Sequence, residues 1–385
     1  MSGMSDSVPC LDPREPTASN RFAIDYLRAA RDLPAPALAL PPGAGIIDFH
    51  AHISGKDAGP LYREVARAFG VCRVYSMGTL DAAKVVKREL GDFAGFIAFP
   101  NFRAPDRFAA FTSGFLEDIR RFHGEFGSRL IKLWNAPRLR EIVPVEHHAE
   151  VIEFDSPWRV KAVELAQSLG MGVMVHIADP DTWFETKYAD AAKFGEKRRH
   201  YDSLERMMER YKGPWIAAHM GGFPEDLDFL SGLLERHPNL SIDTSATKWF
   251  VREVSKHPIE KARAFFIKHR TRILFGSDLV TTDEQLVPPP AEKSATRSPM
   301  ADLASSPASA RDLYASRYYA LRLMLETGYL GESPIADPDL MMVDPKKYDA
   351  MSAPTLQGLA LPGDVLADLY WNNAKRVMGE VGEGS

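Results

Sequence analysis

Two histidines two residues apart, His50 and His52, close the apolar run "GIIDFHAH" (45–52). Side chains alternate across a strand with a period of two, so the pair faces one side. Two imidazoles on one face can each bring a nitrogen to a single ion. Three further residues of metal-competent type end runs of the same kind: His176 in "MGVMVHIADP" (171–180), His219 in "PWIAAHMGG" (214–222) and Asp278 in "RILFGSDL" (272–279). His50, His52, His176 and Asp278 form a set of three nitrogens and one carboxylate oxygen, suited to Zn2+ or a similar divalent cation. Asp48 is expected on the same face one step deeper, where it would hold a ligating ring by a hydrogen bond. The histidines at 123, 147, 148, 200, 237, 257 and 269 fall in charged surroundings and read as solvated surface residues.

The elements that would position these side chains are short apolar runs alternating with amphipathic stretches, as in βαβ units with a parallel sheet. The remaining runs are "VCRVYSMG" (71–78), "FAGFIAFPNF" (93–102), "RLIKLWN" (129–135) and "NLSIDTSA" (239–246), which makes eight in all. Helix-like segments such as 157–169 and 224–238 lie between them. Eight strands with helical returns predict a (β/α)8 TIM-like barrel, in which catalytic groups sit at the C-terminal ends of the strands. Residues 1–40, with one helix-like patch at 21–33, read as an N-terminal extension packed on the outside of a domain spanning 41–385. Two inserts interrupt that domain on the βα side. Residues 281–309 are rich in Pro, Ser and Ala and read as a lid or a disordered loop; residues 333–354 precede the last helix.

Bulk composition narrows the function classes. The net charge of -5 over 385 residues argues against a nucleic-acid surface. The N-terminus lacks the basic start and apolar core of a secretory signal, and no apolar run reaches the length of a membrane span. Two cysteines, Cys10 and Cys72, support neither a disulfide framework nor a thiolate zinc site, and a reducing, cytoplasmic setting is expected. Nucleotide-binding glycine loops and the G-x-S-x-G elbow are absent. A small-molecule substrate is expected, with neither nucleic acid nor membrane as partner; a homo-oligomer is compatible with all of this.

"DFHAH", "VHIAD", "AHMGG" and "FGSD" at the ends of runs one, five, six and eight, with "WNNAKRVMG" near the C-terminus, resemble the amidohydrolase superfamily. The nearest branch is the amidohydrolase-related group that includes aminocarboxymuconate-semialdehyde decarboxylase. The resemblance spans about residues 45 to 380. It implies that His50, His52, His176 and Asp278 bind the metal and that His219 contacts the substrate or a second ion. It also implies that a lysine on the fourth strand, here Lys132, bridges two ions when carbamylated. We expect one ion per chain, with Lys132 uncarbamylated and either facing the substrate or supporting a ligand from behind; two ions with a carbamylated Lys132 are the alternative.

The expected reaction is hydrolysis of an amide, lactone or ester bond of a small substrate. The metal would activate water, Asp278 would move the proton, and His219 would polarise the carbonyl or hold the oxyanion. The alternative is a lyase of the same site, decarboxylating or hydrating a small carboxylated, ring-derived acid. A non-catalytic ligand-binding barrel is a third class. Lys132, Arg138, Arg140 and Lys187 are candidates for a substrate carboxylate, and Trp134 and Trp183 for the wall of a flat substrate. Gly221 and Gly222 would let a ligand approach the backbone.

Overall fold

The computed structural model describes residues 15–34, 40, 44–290 and 299–379. Each of the eight runs forms a parallel strand: β1 (Ile46–His52), β2 (Val71–Gly78), β3 (Ala94–Ala98), β4 (Leu130–Trp134), β5 (Gly172–His176), β6 (Trp215–Ala217), β7 (Leu240–Asp243) and β8 (Ile273–Leu274). The eighth run continues into a ninth strand, β9 (Leu279–Val280). β8 pairs with β7, whereas β9 pairs with β1 through Ala51–Leu279 and His52–Val280. One run therefore joins the two edges of the sheet, and the result is a TIM-like α/β barrel.

Gly276 makes that closure possible. A Cβ on it would stand 2.8 Å from the Cβ of His50, so any side chain would drive the eighth run away from β1. Inside the barrel Ile47, Phe49, Tyr75, Ile97, Leu130, Met174, Ile216 and Leu274 pack together. Burial of a ring such as Phe49 stabilises the fold by about 1.5–3 kcal/mol. Ala374 and Met378 of the last helical stretch join the same cluster. That stretch lies across the N-terminal ends of the strands: Asn373 Nδ2 donates to the carbonyls of Arg270 and Ile273, and Arg129 donates to the carbonyl of Met378. The opposite, C-terminal end is left for the site.

The outer elements give detail to the sequence expectation in three places. Within the described part of the extension, only the turn Tyr26–Ala29 is helical in the patch 21–33, capped by Asp25. Tyr26 is buried against Tyr319 of the helix Pro307–Glu326, with ring centroids 5.2 Å apart. The start of the 281–309 insert is packed into the wall of the barrel, where Thr281 and Gln285 are fully buried and Asp283 accepts the backbone N–H groups of Lys56, Asp57 and Ala58, whereas residues 287–290 are exposed. Residues 291–298 of that insert lie outside the described residues. The 333–354 insert rises from an antiparallel pair, Leu330–Glu332 with Thr355–Gln357, and its Ser333, Ile335 and Asp337 are buried. Among the described residues, no helix is long and apolar enough to cross a membrane.

Candidate metal centre and active site

His50 and His52 end β1 with their ring centroids 5.8 Å apart. Asp278 reaches both: its Oδ1 lies 3.4 Å from His50 Nε2 and 3.5 Å from His52 Nε2. Asp278 has a left-handed backbone, φ 56°, and its N–H donates to the carbonyl of His50 at 2.7 Å. Such a conformation is costly for a non-glycine residue and persists only where the surroundings impose it.

Asp48 is turned away from these rings. The pairing of β1 with β2 shifts register between Asp48 and Ala51, and this breaks the simple alternation. Asp48 instead accepts from Ser277 Oγ at 2.6 Å, from the Ser277 N–H at 3.0 Å and from Tyr318 OH at 2.7 Å. It anchors the residue that precedes Asp278, and burial raises its carboxyl to about 6. The residue that holds the ring is Asp243, at the end of β7. Its Oδ2 accepts from His50 Nδ1 at 2.7 Å. Sequence reasoning passed over Asp243, although it ends a run just as His50 and Asp278 do.

Asp243 also organises His219. Its Oδ1 accepts the backbone N–H of His219 at 2.8 Å and, in a very short contact, the hydroxyl of Ser245. Ser245 has only that proton to give, so its oxygen accepts from His219 Nδ1 at 2.8 Å. The hydrogen-bond network thus assigns the proton to Nδ1 on both His50 and His219 and leaves each Nε2 unprotonated. His219 and Met220 are themselves left-handed, with φ 57° and 51°. Gly221 and Gly222 continue the turn, and Gly222 packs where a Cβ would meet the Ala178 carbonyl at 2.7 Å. Both glycines therefore serve close backbone packing.

Electrostatics keep the imidazoles neutral. Burial pushes His50 and His219 well below the usual histidine range, helped for His50 by Lys132 and for His219 by His176. His52 is driven down to about 3 by burial and then by Lys132. Lys132 is buried in the barrel with its Nζ 2.7 Å from His50 Nε2 and 5.7 Å from the Phe99 ring centroid. Burial lowers its pKa, opposed by Asp278 and Asp243. Asp278 is raised by burial, opposed by Lys132.

The other candidates divide. The ring of His176 lies 4.6 Å from that of His219, but its Nε2 is engaged with Asp179 Oδ1 at 2.8 Å, and Asp179 accepts in turn from Tyr188. Trp134 stands edge-on to His176 at 5.9 Å, and Phe99 edge-on to His52 at 5.2 Å. Trp249, which sequence reasoning did not single out, stands edge-on to His219 at 5.8 Å and to Trp183 at 5.8 Å. Together these rings give the histidines an aromatic surround. Arg138 is not drawn in: it is exposed and lies 3.8 Å from Glu141. Arg140 is committed to Glu153, and Lys187 lies over the outer Trp183 ring. Of the histidines read as surface residues, His200, His237 and His269 are buried, with His237 paired to Glu205 and His269 to Ser231.

The donor chemistry fits a divalent cation. Ligating atoms of His50, His219 and Asp278 all lie within 4.8 Å of one another, and His52 reaches the same carboxylate oxygen. Neutral imidazoles with unprotonated nitrogens beside a carboxylate are what such an ion requires. The Lys132 ammonium already sits on the His50 lone pair, so an ion ligated there would take its place.

The amidohydrolase family model matches residues 47–379. No curated protein matches the chain by sequence. Among solved structures, an amidohydrolase from Burkholderia multivorans with bound zinc is 12% identical, with a TM-score of 0.43 over 87% of this chain and 99% of that one. A 2,6-dihydroxybenzoate decarboxylase bound to 2,6-dihydroxybenzoate is 12% identical, with a TM-score of 0.44 over 88% and 99%. A 5-carboxyvanillate decarboxylase from Novosphingobium aromaticivorans, complexed with manganese, is 10% identical, with a TM-score of 0.43 over 87% and 96%.

Proposed function

We propose that this chain, which belongs to the amidohydrolase family, is a metal-dependent hydrolase cleaving an amide, lactone or ester bond of a small, carboxylated, ring-bearing substrate. The observation that carries this reading is the Asp243 carboxylate on His50 Nδ1, which leaves a neutral nitrogen facing Asp278 and His52. In the proposed site His50, His52, His176 and Asp278 hold one zinc ion, with His176 released from Asp179. When bound, that ion would polarise a carbonyl and water as a Lewis acid.

The rest belongs to the chain's own groups. Asp278, raised by burial, can take a proton and return it to the leaving group. His219 presents a bare Nε2, so it accepts a proton or hydrogen bond from the substrate or water; it cannot donate to an oxyanion in this tautomer. Lys132 binds the substrate carboxylate, and Phe99, Trp134 and Trp249 flank its ring. Arg138 would contribute only at the rim. A cytoplasmic setting belongs to the same proposal, supported by the scarcity of cysteine.

One observation favours a second reading. Lys132 Nζ and Asp278 Oδ1 both lie against His50 Nε2, at 2.7 and 3.4 Å, so a carboxylate held by Lys132 could leave as carbon dioxide while Asp278 delivers a proton to the ring carbon. Product analysis on the zinc-loaded protein separates the two, using a panel of aryl carboxylates, lactones and anilides. A new carboxylate with an amine or alcohol means hydrolase; carbon dioxide without them means lyase. Stoichiometric zinc with turnover of none of the panel would sink both readings.

A further inference from the structure

Asp339 opens the short helix Asp339–Val343 inside the 333–354 insert, and one of its oxygens serves two tryptophans. Trp183 Nε1 and Trp249 Nε1 each donate to Asp339 Oδ2 at 2.8 Å. These two rings come from the helices Asp181–Phe184, after β5, and Thr247–Val254, after β7, and meet edge-on at 5.8 Å, with an interplanar angle of 73°. Trp249 in turn faces His219 at 5.8 Å and His176 at 6.5 Å. The insert therefore touches the ring that stands directly against the candidate catalytic histidines.

The carboxylate is itself held in place. Arg252, on the same helix as Trp249 (Thr247–Val254), lies 3.5 Å from Asp339 Oδ2 and bonds Asp337. Its Nη2 donates to Thr182 Oγ1 at 3.0 Å, one residue before Trp183. The N-terminal extension secures the insert's base: Arg21 donates to the carbonyls of Met351 at 2.7 Å and Ser333 at 2.9 Å, and Ala336 N–H donates to the Ala18 carbonyl at 2.8 Å. An indole carries two rotatable bonds and one N–H, and a charged acceptor on that N–H fixes its rotamer more firmly than packing alone.

We propose that Asp339 is a positioning residue that locks Trp183 and Trp249 into the wall for the substrate's flat ring, so that the insert selects which substrates the site takes. The ring-bearing substrate rests on the function proposed above; the lock on the two tryptophans does not. A carboxylated ring lying flat against a fixed indole gains offset stacking that a puckered ring cannot match.

The test compares wild type with Asp339→Ala and Asp339→Asn, each also in a Trp183→Phe/Trp249→Phe background. Acrylamide quenching of tryptophan emission reads the lock directly. Titration with 2-hydroxybenzoate and with cyclohexanecarboxylate reads selection, and zinc content and Tm monitor the fold. Asp339→Ala should raise quenching only when both tryptophans are present, and Asp339→Asn, which keeps one acceptor, should raise it less. The planar probe should bind Asp339→Ala about tenfold more weakly, while the puckered one changes little. Unchanged quenching and affinity in Asp339→Ala would overturn the proposal. So would loss of zinc, Tm and both probes together, which means that Asp339 only holds the fold. If wild type binds neither probe, the ring-acid substrate fails, and the quenching comparison still decides whether Asp339 locks the wall.

Discussion

His50 Nδ1 lies 2.7 Å from Asp243 Oδ2, and neither side chain has any exposed surface. The same carboxylate holds the His219 backbone and, through Ser245, the His219 ring. One aspartate thus fixes the tautomers of two histidines, one on β1 and one in the turn after β6. Asp243→Asn should lower zinc affinity about 10- to 100-fold, the usual scale for losing a partner that orients a ligand, with the fold intact by circular dichroism. Zinc titration against a competing chelator measures it; an unchanged affinity would remove Asp243 from the site.

His176 and His219 should separate in a paired experiment. His176→Ala is expected to lose zinc, as are His50→Ala and Asp278→Asn. His219→Asn should keep zinc while turnover falls about 100-fold or more, the scale of a lost acid–base group. Elemental analysis of the purified variants decides. If His219→Asn loses the ion and His176→Ala keeps it, the ligand set is His50, His52, His219 and Asp278.

Lys132 occupies the lone pair that a metal would use. Lys132→Met should retain one zinc per chain, bound at least as tightly, because a competing cation is gone. Binding of a carboxylated probe such as benzoate should weaken in the zinc-loaded variant. Two ions per wild-type chain in the presence of bicarbonate, falling to one in the variant, would show carbamylation instead.

Asp118, on the helix Ser113–Phe126, offers a pH test of stability. Burial raises its carboxyl to about 6 from 3.8, partly opposed by Arg121. A raised carboxyl favours the folded state only while protonated: its contribution is fully present below about 3.8 and is lost as pH rises through about 6. Asp118→Asn should therefore raise Tm at pH 7.5 and leave it nearly unchanged at pH 4. Thermal melts at the two pH values check this, and an equal gain at both would contradict the linkage.

The strands were legible because burial writes itself into short apolar runs, and each of the eight runs holds a strand that begins within about one residue of the run's start, although several strands end well before the run does. Parity within β1 was less secure. Strict alternation puts Asp48 beneath the histidines, but the register shift before Ala51 turns it toward Ser277 and Tyr318. A shift of that kind depends on the neighbouring strand, which a local pattern does not contain.

The residue types able to bind a cation, and the order in which strands would bring them to one end of a barrel, were already set by the linear chain. Their partners were not. Asp243 lies 193 positions from His50, and Asp339 lies 156 from Trp183 and 90 from Trp249. Hydrogen-bond assignments of this kind depend on distances of about 3 Å and on which lone pair is free. Barrel closure and packing of the inserts decide those quantities, because only they bring residues so far apart in sequence within reach of one another.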